Sequence, residues 1–262
     1  MKMRNFVKEK LAANGYVLGA FVASGSTMNC ECLGINGMDF VMIDAEHAQT
    51  TTETMVHMAC ASELYGMAAF VRVCAPRDTT MMARLLDVGI HGLVVPMVET
   101  GEQAEQIIRA TKYPPLGMRG ANGGRGPRWG MYENYSRQAN ENLYTIMQCE
   151  SRLGVENIEE ICRTPGLDCV FVGTADLSQD MGHPGDTAHP EVAAAIETVL
   201  SACRKYGITP GIVTGTQEAA VSRVRQGFRL VTCMNDQVFF RTESARRLDA
   251  IRRSLAEDRG EA

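Results

Sequence analysis

The chain has 262 residues, 45% of them hydrophobic and 22% charged, with a net charge of −5; this is a globular mixture with enough apolar mass for a large core, and it excludes a disordered chain. Basic residues form nothing longer than pairs such as Arg246–Arg247 and Arg252–Arg253, so the basic stripe of a nucleic-acid binder is absent. No apolar run approaches the ~20 residues that cross a bilayer, the N-terminus lacks the apolar stretch of a signal peptide, and the nine cysteines have neither zinc nor CxxC spacing, which reads as reduced thiols in a cytoplasmic protein.

Short β-rich runs recur along the chain, separated by stretches with helical periodicity. The first run is 17–23 (VLGAFVA) and the second 39–44 (DFVMID), followed by a capping box at Thr50-x-x-Glu53 and a helix that stops at Gly66. The third run is 68–73 (AAFVRV), its helix stopping at Gly89; the fourth is 92–97 (GLVVPM), its helix opening at Thr100-x-x-Gln103. A long Gly/Pro/Arg-rich connection, 113–135, then breaks the pattern; loops of this length are usually functional. Runs at 144–150 (YTIMQCE), 169–173 (CVFVG), 209–213 (TPGIV) and 229–233 (RLVTC) complete the set, with glycine stops at Gly207 and Gly227. The final stretch, 236–258, is amphipathic through Val238, Ala245, Leu248, Ile251 and Leu255, and has to bury that face on its own barrel or on a neighbour's.

Eight strands alternating with helices predict parallel pairing with right-handed crossovers. A single-domain (β/α)8 TIM barrel over 1–262 is the economical solution. The open doubly wound alternative is disfavoured because no G-x-G-x-x-G follows the first strand.

Barrel enzymes place their chemistry where strands end. The second run ends in Asp44, followed by Glu46 and His47; the third ends near Arg72; the fifth ends in Gln148 and Glu150; the sixth leads through Thr174 and Ala175 to Asp176. Glu150 and Asp176 fall on adjacent strands, ~4.8 Å apart, where two carboxylates suit a divalent cation with oxygen ligands. The alternative is that each caps a helix or pairs with an arginine. His47 reads either as an acid/base group or as a structural histidine. Arg72 reads as a clamp for a substrate carboxylate, or as the partner of Asp44. The five lysines (2, 8, 10, 112 and 205) all lie outside the strand runs, which disfavours Schiff-base chemistry. The 119–126 loop (RGANGGRG) lacks a Gly-Lys-Ser/Thr ending and follows no strand, so it reads as a cationic lid or a subunit contact rather than a phosphate loop.

The stretches FVMIDAEHAQT (40–50), FVRV (70–73), LLDVGIHGLVVPMVET (85–100), ATKYPPLGMRG (110–120), MQCES (147–151), GLDCVFVGTADLSQDMGHPG (166–185) and HPEVAAAIE (189–197) resemble the HpcH/HpaI family of metal-dependent pyruvate aldolases, of the 4-hydroxy-2-oxoheptanedioate and 2-dehydro-3-deoxyglucarate type. The resemblance runs over nearly the whole chain. It implies a cytoplasmic aldehyde-lyase that forms a pyruvate enolate on Mg2+, Mn2+ or Co2+. It further implies Glu150 and Asp176 as metal ligands, Arg72, Gln148 and the Ala175 backbone as pyruvate contacts, and His47 as acid/base oriented by Asp87. Asp44 would support Arg72 and metal-bound water. The implied assembly is a hexamer, a trimer of dimers, exchanging its C-terminal helix between subunits. Rival readings are a related lyase acting on a CoA ester or a phosphoenolpyruvate-type substrate, and a catalytically silent barrel scaffold. Ala45 and Thr174 depart from the family's usual glycine and proline, and residues 121–130 (ANGGRGPRWG) depart from its common pattern.

Overall fold

A computed structural model describes residues 1–258; the last four residues of the expected domain, 259–262, lie outside it. The chain enters through α1 (Phe6–Asn14), where Asn5 accepts from the Lys8 amide at the start and Gly15, in the left-handed region, ends the helix. Val7 of α1 packs into the apolar interior, and Lys8 and Lys10 pair with Asp168 and Asp39. Both acids sit just ahead of strands, so α1 covers the base of the barrel, where strands begin.

Strands and helices then alternate: β1 (Val17–Val22), α2 (Thr27–Ile35), β2 (Phe40–Asp44), α3 (Thr52–Leu64), β3 (Ala68–Arg72), α4 (Thr79–Asp87), β4 (Gly92–Val95) and α5 (Gly101–Thr111). A 3-10 turn (Arg128–Gly130) and α6 (Tyr135–Asn142) lead into β5 (Tyr144–Cys149), α7 (Arg152–Glu156), α8 (Ile158–Cys162), β6 (Cys169–Val172) and α9 (Thr174–Asp180). The second half ends with α10 (Pro190–Tyr206), β7 (Thr209–Val213), α11 (Gln217–Gln226), β8 (Leu230–Asn235) and α12 (Asp236–Asp258). The strands close into an eight-stranded parallel barrel, β8 returning to β1, as the alternation of runs predicts.

The two-residue strand period divides each strand between two cores. Phe40, Met42, Phe70, Tyr144, Ile146 and Phe171 fill the barrel interior. Val41, Ile43, Ala69, Val71, Val170 and Val172 face the helical ring. The Phe40 ring crosses directly over Gly19, where a Cβ would sit 2.4 Å away. Continuing the inward parity past the apolar layers brings up Asp44, Arg72 and Gln148, a polar layer at the mouth.

Two local expectations change, and the alternatives for α12 narrow to one. The α3 cap is Thr51, whose hydroxyl accepts from the Thr54 amide, while Thr50 donates to the Asp44 carbonyl. The 113–135 connection does not reach the mouth. It runs from the end of α5 to α6, which delivers the chain to the start of β5 at the base, and Arg125 and Arg128 pair with Glu63 at the end of α3; within one chain it is not a lid. Helix α12 does not bury its apolar side chains on its own barrel, for Val238, Phe239, Phe240, Leu248 and Ile251 are all at least half exposed. Among the described residues no helix is long and apolar enough to cross a membrane.

Candidate active site

Register sets the first pair. Asp44 and Arg72 are directly opposed across β2 and β3, point inward together, and form a two-point contact, Nε to Oδ1 at 3.0 Å and Nη2 to Oδ2 at 2.7 Å. The Asp44 Oδ1 also accepts the amides of Glu46 and His47 at 3.1 and 3.3 Å, which folds the 45–50 loop over the strand end. Burial pushes the Asp44 carboxyl up, but the Arg72 guanidinium more than offsets this and holds it below its usual range. Arg72 Nε also lies 3.3 Å from Glu46, and its guanidinium rests over the Phe21 ring at 5.0 Å. Its Nη1 has no hydrogen-bond partner among the described residues.

The second pair sits across the mouth. Gln148 and Glu150 share the inward parity of β5, and the Gln148 amide donates to Glu150 Oε2. Glu150 Oε1 accepts the Met97 amide at 2.9 Å, and Met97 holds a left-handed φ of 52°, a conformation rare in non-glycine residues and frequent at functional sites. Gly173 closes the cradle, since a Cβ there would lie 2.2 Å from Glu150 Oε2. Burial raises the Glu150 carboxyl; the Met97 and Gln148 hydrogen bonds oppose this, the charges of Asp176 and Glu46 add to it, and the group reaches about 7. Asp176 stands in the first turn of α9, two residues beyond Thr174. Burial also raises Glu46, against Arg72 and His47.

Asp44, Glu46 and Glu150 thus share one guanidinium, with Asp176 adding its charge against Glu46 and Glu150, and this excess of carboxylate suits a cation. The residues fit one. The donors are hard carboxylate oxygens of the kind Mg2+ and Mn2+ take, and the buried Gln148 Oε1 has no partner among the described residues. The lysines lie elsewhere. Lys112, the buried one, donates to the Asn140 and Leu143 carbonyls; Lys8, Lys10 and Lys205 pair with Asp168, Asp39 and Glu159; Lys2 lines a cavity at the base. A cavity of about 1140 Å3 opens above Arg72, Gln148 and Gly173–Asp176 and extends between α11 and α12.

Two expected members behave differently. The His47 side chain is 65% exposed at the rim, 3.6 Å from Glu46. Asp87 does not orient it within the chain: its carboxylate is held by Arg119 at 2.7 Å and Asn122 at 2.7 Å. The reason is topological, because Asp87 ends α4 and helices end at the base, opposite the mouth. The Met97 amide and Gly173 are members that sequence reasoning missed, and Glu46 was noted at the strand end without a role. Its place two residues beyond Asp44 already put Glu46 at the mouth.

A parallel barrel with a carboxylate-rich, arginine-clamped mouth and no lysine there defines a metal-type rather than a Schiff-base barrel enzyme. Residues 18–240 match the family model HpcH/HpaI aldolase/citrate lyase, and the chain belongs to that family. It is 35% identical to a 5-keto-4-deoxy-D-glucarate aldolase from Klebsiella pneumoniae, over 95% of this chain and 97% of that one. It is 41% identical to a hydroxypyruvate/pyruvate aldolase from Chromohalobacter salexigens, over 81% and 84%. Among solved structures, an HpcH/HpaI aldolase/citrate lyase family protein from Burkholderia cenocepacia superposes with a TM-score of 0.89 at 33% identity, covering 95% of this chain and all of that one.

Proposed function

We propose that this chain is a divalent-cation-dependent aldolase that cleaves a 4-hydroxy-2-oxo acid reversibly to pyruvate and an aldehyde. The observation that carries the reading is the buried Glu150, raised to about 7 by burial and by Asp176 beside the Arg72 guanidinium. Aldolase relatives that match nearly the full chain support it.

Glu150 and Asp176 would hold Mg2+, Mn2+ or Co2+, and the cation would supply Lewis-acid stabilisation of negative charge on the 2-oxo oxygen of pyruvate. The remaining work falls to the protein's own groups. Asp44 fixes Arg72 through Nε and Nη2, which leaves Nη1 for the pyruvate carboxylate. The Ala175 amide, in the first turn of α9, has no intrahelical acceptor and donates to the same carboxylate. Gln148 is fixed by Glu150 and contacts the substrate. His47 moves the proton, taking it from the C4 hydroxyl in cleavage and from the pyruvate methyl in the reverse direction.

A site with its acid/base group at an open rim calls for a neighbour to complete it, and the exposed apolar side chains of α12 supply a means of assembly. The family resemblance implies a cytoplasmic homohexamer of single-domain barrels, a trimer of dimers that exchange α12, and the exposed apolar side chains of α12 support it. In it Asp87 orients His47 only across a subunit boundary, since the two lie at opposite ends of one barrel.

Proton exchange tests the reading without knowledge of the aldehyde. Metal-stripped protein with pyruvate in D2O, followed by NMR of the methyl signal, is expected to exchange only after Mg2+ or Mn2+ is added. Exchange is expected to fall at least about a hundredfold in Glu150→Gln. Folded protein that exchanges nothing with any divalent cation, yet turns over an acyl-CoA, would replace this reading with the CoA-ester lyase.

A further inference from the structure

The loop between α9 and α10 assembles a second set of ligands that the mouth does not use. His183 Nε2 lies 3.0 Å from Glu191 Oε2. The His183 and His189 rings stack with centroids 3.4 Å apart and 17° between their planes. One nitrogen from each ring and a Glu191 oxygen all lie within 4.8 Å of one another, and among the described residues no other group of three or more His, Cys, Asp or Glu meets that condition.

Two imidazoles and a carboxylate so close suit a cation that uses their lone pairs. His189 Nδ1 gives up little to such a cation, for it accepts only a long 3.3 Å bond from the Glu191 amide. The N-terminus of α10 opposes a cation through its dipole, and the Glu191 carboxylate in that first turn offsets it. Ligation requires the stacked rings to splay, and Gly182 and Gly185, both at positive φ, flank His183 where the backbone turns.

We propose that His183, His189 and Glu191 form a second cation site, for a zinc-like ion, that ties the 182–189 loop to the first turn of α10. Two imidazoles and one carboxylate suit Zn2+, Co2+ or Ni2+, whereas the all-oxygen pair at the mouth suits Mg2+ and Mn2+. The donor chemistry therefore separates the two sites. Thr187 of the same loop lines the cavity over the mouth, so the tie would stiffen one wall of that cavity.

The test uses the full chain, metal-stripped, then dialysed against Zn2+ in excess Mg2+ that competes for the oxygen ligands. His183→Ala and Glu191→Gln are the variants of choice, because His189 also caps α10. The expected result is about one tightly held zinc per chain, with affinity falling at least about tenfold in each variant. Co2+ is expected to give the visible absorption of a nitrogen-ligated ion in the parent protein and to lose it in His183→Ala. Zinc bound equally by parent and variants, as capture by surface thiols or by the mouth would produce, overturns the proposal. So does a parent protein that retains no zinc. Should His183→Ala not fold, Glu191→Gln, which keeps the shape of the side chain, decides between the same two results.

Discussion

Two glutamates, the half-buried Glu63 at the base and the buried Glu150 at the mouth, meet opposite surroundings. Glu63 at the base meets His91 at 3.3 Å, Arg125 at 3.0 Å and Arg128 at 2.6 Å. Burial pushes it up, but those partners outweigh the push and hold it at about 2. Glu150 at the mouth has two hydrogen-bond donors and faces further acids, and it rises to about 7. Glu63 is balanced by its partners as folded, and that cluster serves stability. The mouth is short of positive charge, and a cation and a substrate carboxylate enter the same balance there. That division matches the general anatomy of the fold, in which strand ends carry chemistry and strand starts carry stability.

Removing a partner at each end is the strongest way to break the comparison. Arg72→Met is expected to cost about 3–5 kcal/mol in urea unfolding, because it leaves Asp44 buried beside Glu46 with no cation, and to abolish pyruvate exchange. The pH dependence of stability comes next. The raised Glu150 contributes stability that is full below its unfolded value of 4.5 and lost as pH rises through about 7. The depressed Glu63 contributes stability that is full above 4.5 and lost as pH falls through about 2. Each limb is worth about 3 kcal/mol. Unfolding of the metal-free protein across pH is expected to show both, and saturating Mg2+ is expected to flatten only the upper one.

Gly173→Ala sharpens the mouth side. A Cβ 2.2 Å from Glu150 Oε2 displaces that carboxylate, and calorimetry is expected to show cation affinity falling about tenfold or more, with the circular dichroism spectrum unchanged. Arg128→Met at the base is the smallest change. Arg125 and His91 remain on Glu63, so about 1 kcal/mol is expected, read by urea unfolding.

What was legible in the sequence follows from parity and from chain direction. Phe40-x-Met42-x-Asp44 and Phe70-x-Arg72 can be read outright: alternate residues face inward, and the first polar residue past the apolar layers belongs to the mouth. The same rule finds Gln148 and Glu150. It misses Met97, which acts through a backbone amide, and Gly173, which acts by what it lacks. Chain direction would have placed Asp87 correctly, since it closes a helix rather than a strand, and the 113–135 loop likewise, since it leads into a strand. The heptad-like apolar positions of α12 were visible, but Phe239 and Phe240 spread its apolar surface beyond one face, and a single chain does not cover it.

The central claim is that burial, with Asp176 and Glu46, raises the Glu150 carboxyl and that a cation binds it as the carboxylate, and proton release on cation binding tests this most directly. Titration of Mn2+ into metal-free protein by calorimetry at pH 6, in two buffers of different ionisation enthalpy, counts the protons released. The account predicts close to one proton per cation at pH 6, release vanishing above about pH 8, and no release at either pH in Glu150→Gln. Tight Mn2+ binding at pH 6 without proton release, or release unchanged in Glu150→Gln, would contradict it.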